Sequence, residues 1–407
     1  MAQDKVFTGQ PILTQLLSFI PRKIVSDLSK KHGSDRYCKR FYTWDHLVSM
    51  LYCSFCKCSS TRELITGIQA NYGKLNHLGM QSVPRRSTLC DANLRRPEAL
   101  FSELYHSLFN KYYRAVLSDS PKSNDGIFNR LFILDSTTVS LFTDVMKGMG
   151  TAPANGKKKG GMKAHVLVKA EDDLPCFVLL SSANRNDKII YKHINLAKGA
   201  IIVFDKGYGS FRQFDKWTKE GVTWVSRFND PWLYRKVSEK KITRQGAIDG
   251  VLNDEAVILG DPNNYKTLKI KARRITFFDK EKNRPFIFVT NNFKMTASKI
   301  AAIYKRRWQI ELLFKRLKTH YPLRYFLGES ENAIKIQMWS ALICDLLIKI
   351  VKDKINKKWS FANMASMIRL HLMTYINLFK FLNNPDSALN FNLKANTNGQ
   401  LDLFKGG

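Results

Sequence analysis

Two short stretches decide the fold class: RLFILD at residues 130–135 and AIIVFD at residues 200–205. Each is an apolar run of strand length that ends in an aspartate, Asp135 in the first and Asp205 in the second. Short runs rich in Ile, Leu, Val and Phe predict buried β-strands. An acid after such a run is common, because many strands end in a polar turn. Each aspartate taken alone is therefore weak evidence for a catalytic site.

The segments around these stretches predict a mixed α/β domain. Strand-like and helix-like patterns follow one another: KAHVLVKA (163–170), CFVLLSS (176–182), DKIIYKHINLA (187–197), SFRQFDKWTKE (210–220) and VTWVSRF (222–228). With the two opening stretches they give the order β-β-β-α-β-α-β, followed by a helix. This order resembles that of the ribonuclease-H-like fold, in which the first and fourth strands are neighbours. Adjacent strands lie about 4.8 Å apart, so Asp135 and Asp205 would project side by side.

Carboxylates on neighbouring strands suit a pair of divalent metal ions. Two hard cations held about 3.5–4 Å apart need shared oxygen ligands. Gly207 and Gly209, after Asp205, permit a tight turn that leaves room for a phosphate backbone. Two acids on the first and fourth strands of this order therefore favour a metal-dependent site.

The segment MTASKIAAIYKRRWQIELLFKRLKTH (295–320) predicts one long helix. Its four notable residues are spaced three, four and seven apart: Tyr304, Arg307, Glu311 and Lys318. At 3.6 residues per turn they share one face. Glu311 is almost the only acid in a very basic stretch, and ion pairs with cations four residues away would also explain it.

The spacing of these four residues resembles a family signature. Tyr-x2-Arg-x3-Glu-x6-Lys is typical of the IS-four family of DDE insertion-sequence transposases, and residues 304–318 match it without a gap. Four fixed residue types at fixed spacing seldom arise by chance. The resemblance covers roughly residues 130–345, and the helical region before it is similar, less specifically, to the region that precedes the catalytic domain in one branch of that family.

The two aspartates resemble the same family. ILDSTTV, around Asp135, and VFDKGYGSF, around Asp205, are similar to its first and second acidic motifs. The separations also fit, with 70 residues between the aspartates and 106 from Asp205 to Glu311. In these enzymes a β-rich insertion precedes the glutamate, and here it would span about residues 229–294.

The resemblance implies a DNA transposase that cuts and joins strands by a cut-and-paste route. Asp135, Asp205 and Glu311 would hold two Mg²⁺ ions, for which Mn²⁺ can substitute. One ion would activate water or a 3′-hydroxyl, and the other would stabilise the leaving 3′-oxygen. The implied partners are double-stranded DNA with terminal inverted repeats, target DNA, and a second copy of the chain in a homodimer on DNA.

The resemblance also implies DNA contacts. Tyr304, Arg307 and Lys318 would grip phosphates near the cut, with Arg suited to bidentate contacts and Lys acting as a point charge. Relatives flip a base and stack it on a Trp of the insertion. Trp232 is the only Trp inside the insertion and is favoured for this role, because Trp224 belongs to an apolar strand and fits the core better.

Basic residues near the second strand leave two interpretations open. Lys163 and His165 would lie on that strand and face DNA, although a buried structural histidine explains His165 better. Residues 157–161, KKKGG, combine glycines with lysines that suit a phosphate contact. A solvated loop explains that segment equally well.

Composition agrees with a nucleic-acid partner. The chain has 407 residues, and its 66 Lys and Arg against 34 Asp and Glu give a net charge of +32. Such an excess calls for an anionic partner, usually nucleic acid. The sequence has no apolar run of the roughly 18 residues that would span a membrane, and residues 12–20 lack the features of a cleaved leader. The expectation is a bacterial, cytoplasmic, nucleoid-associated protein with no membrane partner.

Residues 1–120 predict an all-α region with a DNA-binding role. TWDHLVSMLYCSFC (43–56) and PEALFSELYHSLFNKYYRAVL (97–117) carry apolar residues three and four apart. Arg85 and Arg86 lie in a short basic connection between them, as in helix-turn-helix proteins. An ordinary helical cap on a larger domain explains the same residues.

The predicted domains are therefore a helical region at 1–120, a ribonuclease-H-like catalytic domain at 128–345, and C-terminal helices with a flexible tail at 346–407. Helices within 331–380 would supply a dimer interface or simply pack in a core. Seven scattered cysteines predict no disulfide framework. Three of them are close enough in sequence to suggest either zinc or plain core packing: Cys53, Cys56 and Cys58.

Two other functions compete with an active transposase. One is a transposon-derived DNA-binding protein without catalysis, which the intact acid triad disfavours. The other is a different metal nuclease on the same fold, which the four-residue signature and the β insertion disfavour. A nucleotide-dependent enzyme is not supported, because the chain has no G-x4-G-K-[ST] motif.

Overall fold

The structure is a computed structural model, which describes residues 9–114, 130–140, 161–170, 174–264 and 266–386. The chain divides into two compact units: a helical unit from residues 1–119 and 316–407, and a sheet unit from residues 120–315. Each is described by itself below. The helices, in chain order, are α1 Ile12–Leu17, α2 Arg22–His32, α3 Thr43–Cys56, α4 Thr61–Ala70, α5 Leu75–Leu78, α6 Arg86–Arg95, α7 Glu98–Phe109, α8 Phe211–Lys219, α9 Arg244–Asp249, α10 Ala297–Lys305, α11 Trp308–His320, α12 Glu331–Lys352, α13 Phe361–Leu370 and α14 Leu378–Asn383.

The described part of the sheet unit is built on one mixed sheet. Its strands are β1 Leu131–Ser140, β2 Gly161–Lys169, β3 Leu174–Ser182, β4 Ile201–Phe204, β5 Thr223–Arg227, β6 Tyr234–Glu239, β7 Val251–Leu259, β8 Ile270–Asp279 and β9 Arg284–Thr290. Their order is β3-β2-β1-β4-β5-β9-β8-β7-β6. Strand β4 runs parallel to both β1 and β5, and the other neighbours are antiparallel. The predicted adjacency of the first and fourth strands is confirmed.

Aromatic packing fixes the centre of this sheet. All four residues of β4 are buried, as the apolar run predicts. Helix α8 buries Phe214 and Trp217 in the same core cluster as Phe204 and Trp224. The Phe214 and Trp224 rings stack with centroids 4.2 Å apart. Apolar area removed from water in this way is the main force holding helix to sheet, and it fixes the strand ends where the acids lie.

The segment predicted as an insertion, 229–294, supplies β6 to β9 and extends the same sheet through the pairing of β9 with β5. A helix predicted at 187–197 is wrong: the chain forms only a 3-10 turn, Asp187–Lys192, capped by the Asn186 side chain. Ile190 and Tyr191 are buried in this turn, and tertiary packing of this kind can override a local helical pattern.

The single helix predicted at 295–320 is also wrong. The chain forms α10 and α11, separated by a turn at Arg306 and Arg307. The Arg307 N–H donates to the Tyr304 carbonyl at 3.0 Å, a tighter i to i−3 bond than the α-helical one. The break reorients the backbone directly before Glu311.

The helical unit combines segments from both ends of the chain. Helix α12 is buried along most of its length and packs against α3, α6 and α7. Core packing therefore accounts for the apolar residues of α12, which sequence alone left open as a dimer interface. Residues 316–345, expected in the catalytic domain, belong to this unit together with the C-terminal helices. The connection that holds Arg85 and Arg86 contains helix α6. Within the described residues, no helix is long and apolar enough to cross a membrane.

Candidate catalytic site

Asp135 and Asp205 lie at the same level of two parallel strands. Leu134 of β1 pairs with Phe204 of β4, and each aspartate is the next residue along. Asp205 follows the last residue of β4 and starts the 3-10 turn Lys206–Tyr208. Because neighbouring parallel strands present equivalent positions side by side, the register brings together two acids that are 70 residues apart in sequence.

Arg307 joins Glu311 to this pair. Its guanidinium donates to Asp135 Oδ2 at 2.6 Å and to Glu311 Oε1 at 2.7 Å. The Tyr304 hydroxyl lies 3.4 Å from Asp205 Oδ1 and donates to it. The sequence-predicted residues Asp135, Asp205, Tyr304, Arg307 and Glu311 therefore form one connected cluster.

The cluster is short of positive charge. Burial raises the pKa of Asp135 to about 6; the positive charge of Arg307 and the Ser136 N–H oppose this rise, while repulsion from Asp205 and Glu311 adds to it. Burial alone would lower the pKa of Arg307, but the neighbouring acids and Tyr304 raise it. Burial also raises the pKa of Tyr304, so its hydroxyl keeps its proton. Further positive charge would therefore be accommodated beside these carboxylates.

The donor set fits divalent metal ions, although the geometry does not yet enclose one. Among the described residues, no group of three His, Cys, Asp or Glu is arranged to hold a metal. The guanidinium of Arg307 lies between Asp135 and Glu311 and acts as a stand-in cation. Carboxylate oxygens are the ligands that Mg²⁺ prefers, and these carboxylates already gather around one positive charge.

A second polar layer supports Asp135. The hydroxyl of its neighbour Ser136 donates to Asp187 Oδ1 at 3.0 Å. Lys163 Nζ lies 3.1 Å from the same oxygen, and His165 Nδ1 lies 3.5 Å from it. Sequence reasoning missed Asp187. The available signal was an acid directly after the third strand, in the segment ANRND, which the helix prediction absorbed.

This layer decides between the two interpretations of the second strand. His165 is fully buried, its Nε2 lies 2.9 Å from Ser181 Oγ, and burial lowers its pKa to about 4. This burial agrees with a structural histidine, although within the described residues its Nδ1 has no hydrogen-bond partner. The side chain of Lys163 is only 14% exposed and pairs with Asp187, so its role as a DNA contact stays a prediction. Residues 157–160 lie outside the described part of the chain.

The two tryptophans occupy different environments. Trp224 is fully buried in the aromatic core, as predicted. Trp232 is half-buried, with its ring centroid 5.5–5.7 Å from those of Phe211, Phe214 and Phe228.

Trp232 also packs on the glycine-rich turn after Asp205. A Cβ added to Gly209 would lie 2.1 Å from Trp232 Cζ2, so only glycine permits this contact. The packing places Trp232 beside the turn that follows the second acid. Its role in stacking a base stays a prediction.

The remaining predicted residues lie in the helical unit. Arg85, Arg86 and Lys318 are exposed there, and their roles in DNA binding stay predictions. Cys53 and Cys58 are buried, and the Cys53 thiol donates to the Cys58 carbonyl at 3.8 Å. Core packing accounts for these two cysteines.

Comparisons with known proteins identify a family for this chain. The family model described as "Transposase DDE domain" matches residues 127–347, more than half of the chain. A second model, described only as a domain of unknown function, matches residues 8–81.

Three curated relatives are named as transposases. The y4zB protein of Sinorhizobium fredii is 33% identical over 268 residues, covering 66% of this chain and 71% of that protein. The protein of insertion sequence element IS5377 from Geobacillus stearothermophilus is 27% identical, covering 56% of this chain and 58% of its own. The protein of element IS4SA from Synechocystis is 26% identical, covering 65% and 71%.

Proposed function

Because this chain belongs to the transposase DDE domain family and is a DNA-cleaving, strand-transferring transposase, we propose that Asp135, Asp205 and Glu311 are its catalytic carboxylates. The observation that carries the proposal is their convergence. Two acids stand side by side on parallel strands, and Arg307 links one of them to the glutamate of α11. No local sequence pattern requires three acids so distant in the chain to meet.

The same carboxylates would hold two Mg²⁺ ions, with Mn²⁺ as a substitute. When bound, the ions supply activation of the attacking oxygen and stabilisation of the leaving 3′-oxygen. The chain contributes the rest. Asp135 must be ionised to act as a ligand, and Ser136 N–H holds one of its oxygens at 2.8 Å. Asp187, through Ser136, fixes the strand beside it.

Once the charge of the carboxylates is neutralised by bound cations, Arg307 and Tyr304 would be free for a second role, which is to bind a DNA phosphate. A guanidinium released from Asp135 and Glu311 can turn its paired N–H groups to a DNA phosphate, a geometry that suits Arg better than Lys. The Tyr304 hydroxyl keeps its proton and can donate to a phosphate oxygen. Lys318 would add a point charge, and Trp232 would stack an unpaired base. Lys163, Arg85 and Arg86 complete the proposed DNA contacts.

The proposed assignment to one family of DDE transposases rests on the spacing of four residues. Tyr304, Arg307, Glu311 and Lys318 match the IS-four spacing, and the β3-β2-β1-β4-β5 order agrees with a ribonuclease-H-like core. On this basis we propose that the chain is a member of the IS-four family. We further propose that it acts in the bacterial cytoplasm, at the nucleoid, as a homodimer on DNA with terminal inverted repeats, and that its helical region binds DNA.

Plasmid cleavage tests the catalytic assignment. The gene's own flanking repeats on a plasmid are incubated with protein and Mg²⁺, with EDTA, or with the Asp205→Asn variant. Asp215→Asn is the matched control, because Asp215 is a carboxylate of the same unit whose ion-pair partner among the described residues is Lys219, on the surface of α8. Cutting at the repeat ends should vanish with EDTA and with Asp205→Asn and persist in the control.

The opposite result is equally clear. Binding of the repeats without cutting in either Mg²⁺ or Mn²⁺ would refute catalysis and leave a DNA-binding protein derived from a transposon. Cutting by Asp205→Asn at the parent rate would remove Asp205 from the site.

A further inference from the structure

The loop between α2 and α3, residues 33–42, carries an exposed set of cations and aromatic rings. Arg36, Lys39 and Arg40 are exposed, and the Tyr37 side chain is 85% exposed. Residues 22–42 contain seven Lys or Arg and two Asp. None of the three loop cations forms an ion pair with a carboxylate of the described residues. We call residues 33–42 the basic loop.

Buried polar contacts hold the basic loop in one shape. Asp35 accepts hydrogen bonds from Ser29 Oγ at 2.6 Å and from Thr43 N and Oγ1 at 2.6 and 2.8 Å. Arg96, only 4% exposed, donates to the carbonyls of Ser34, at 3.2 Å, and Phe41. These contacts join both ends of the loop to the helical core. A loop fixed in this way presents its charges without a further cost of ordering its backbone on binding.

Tyr37 stands in a conformation that a large side chain rarely adopts. Its φ is +64°, in the left-handed region. The Arg36 guanidinium lies 4.9 Å from its ring centroid. Exposing an aromatic ring from a strained backbone position brings no packing benefit to the fold itself. Strain of this kind persists where the surrounding structure enforces it, and it often marks a functional site.

A groove adjoins the basic loop. It has a volume of about 520 Å³ and is lined by Arg22, Lys30, Arg36, Tyr42 and Trp44, among others. The Arg22 guanidinium lies 3.4 Å over the Trp44 ring. Both Arg22 Nη2 and Trp44 Nε1 donate to the Leu78 carbonyl, at 3.3 and 2.9 Å. The lining of the groove therefore includes a planar cation held by an aromatic ring and a carbonyl, which suits phosphate recognition, together with the Asp35 carboxylate, whose oxygens accept from Ser29 and Thr43.

We propose that the basic loop and its groove bind the sugar-phosphate backbone of double-stranded DNA. This inference rests on the transposase function and deepens it, because it names the surface of the helical region that would contact DNA, within the segment that matches a model described as a domain of unknown function. Fixed guanidinium and ammonium groups recognise phosphates, and a tyrosine can lie on a deoxyribose and donate to phosphate. Backbone contacts of this type position DNA without reading its sequence.

Fluorescence anisotropy in EDTA measures binding without cleavage. The probes are a labelled duplex from the DNA that flanks the gene and an unrelated duplex of equal length. The test variant is Arg36→Ala/Lys39→Ala/Arg40→Ala. Its matched control removes three exposed cations from the C-terminal part of the same unit, as Lys354→Ala/Lys357→Ala/Lys358→Ala.

The loop variant should weaken binding to both duplexes, about 10-fold or more. The slope of log affinity against log salt should become shallower by up to about 3, since each lost phosphate contact contributes roughly 0.9. The control should bind within about twofold of the parent. An unchanged affinity and salt slope in the loop variant, or an equal loss in the control, would overturn the proposal.

Tyr37→Gly separates function from folding. Glycine adopts positive φ freely, so the melting temperature should hold or rise while DNA binding weakens. A purely structural role would instead lower stability and leave binding intact. Tyr72→Ala is the control, because Tyr72 is 67% exposed in the same unit. The anisotropy assay contains EDTA and measures no cleavage, so failure of the catalytic assignment would not affect this test.

Discussion

Replacing Asp135 by asparagine is expected to stabilise the folded chain while removing a proposed catalytic carboxylate. Burial raises the pKa of Asp135 to about 6, above its ordinary value of 3.8. The folded chain therefore binds more protons than the unfolded chain between pH 3.8 and about 6. A folded-state pKa above the unfolded one means that stability is complete below pH 3.8 and is lost as pH rises through about 6.

The magnitude follows from the size of that rise. At about 1.4 kcal/mol for each pKa unit, ionised Asp135 destabilises the fold by about 3 kcal/mol above pH 6. The side chain is only 16% exposed, so solvent screening removes little of this. Asparagine keeps the shape and carries no charge. Its one oxygen can still accept from Arg307, while the amide group that replaces the other oxygen gives up the bond from Ser136 N–H. Asp135→Asn should therefore be more stable than the parent by up to about 3 kcal/mol at neutral pH, and equally stable below pH 3.8.

Urea unfolding in EDTA, followed by tryptophan fluorescence across this pH range, measures the effect. Asp215→Asn is the control and should change stability by less than about 1 kcal/mol, because its ion pair is on the surface. Added Mg²⁺ should stabilise the parent more than Asp135→Asn, since ligands that bind only the native state raise its stability. An Asp135→Asn variant that is less stable than the parent at neutral pH, or a difference that is independent of pH, would refute the reasoning.

Four further outcomes are expected. Arg307→Lys should reduce cleavage on the order of 100-fold, because an ammonium cannot give a DNA phosphate the paired N–H groups of a guanidinium; a variant that cuts at the parent rate would contradict this. Asp187→Asn should lower the cleavage rate about 10–100-fold with DNA binding retained, as expected for a group that positions a ligand. The cleavage rate and the dissociation constant for DNA are measured separately. Burial lowers the pKa of His46 to about 3. The free energy of unfolding should therefore decrease as pH drops from 6.5 towards 3, and the urea midpoint should vary less with pH in His46→Gln than in the parent. Arg273→Met should cost about 3–5 kcal/mol, because it leaves buried Asp254 without its bidentate partner at 2.6–2.7 Å; Arg273→Met/Asp254→Leu should recover most of this in the same unfolding assay.

Local sequence patterns predicted the strand order and the positions of the two aspartates. Apolar runs that end at Asp135 and Asp205 are strands because they are short and rich in Ile, Leu, Val and Phe, as buried strands are. Once the strand order is known, the adjacency of the first and fourth strands follows. The spacing of Tyr304, Arg307 and Glu311 likewise lies within a few helical turns, where sequence distance and spatial distance correspond.

Contacts between distant residues were beyond the reach of these patterns. The break at Arg306 and Arg307 replaces a helix that the periodicity predicted as continuous. Arg307 meets an acid 172 residues earlier in the chain, and no periodicity encodes that meeting. Sequence patterns did not identify Asp187 for the same reason, because its partners lie on β1 and β2 rather than beside it in sequence.

The sequence by itself determined what the chain can do: its charge requires an anionic partner, and its acids, Tyr304 and Arg307 occur at the spacing of a DDE transposase. Only the tertiary structure decided how these groups are joined. It placed one guanidinium between two carboxylates, supported Asp135 through Ser136, and assigned residues 316–345 to the helical unit. The physical reason is that side-chain periods report which face of an element is apolar, whereas ion pairs and domain membership depend on packing between elements far apart in the chain.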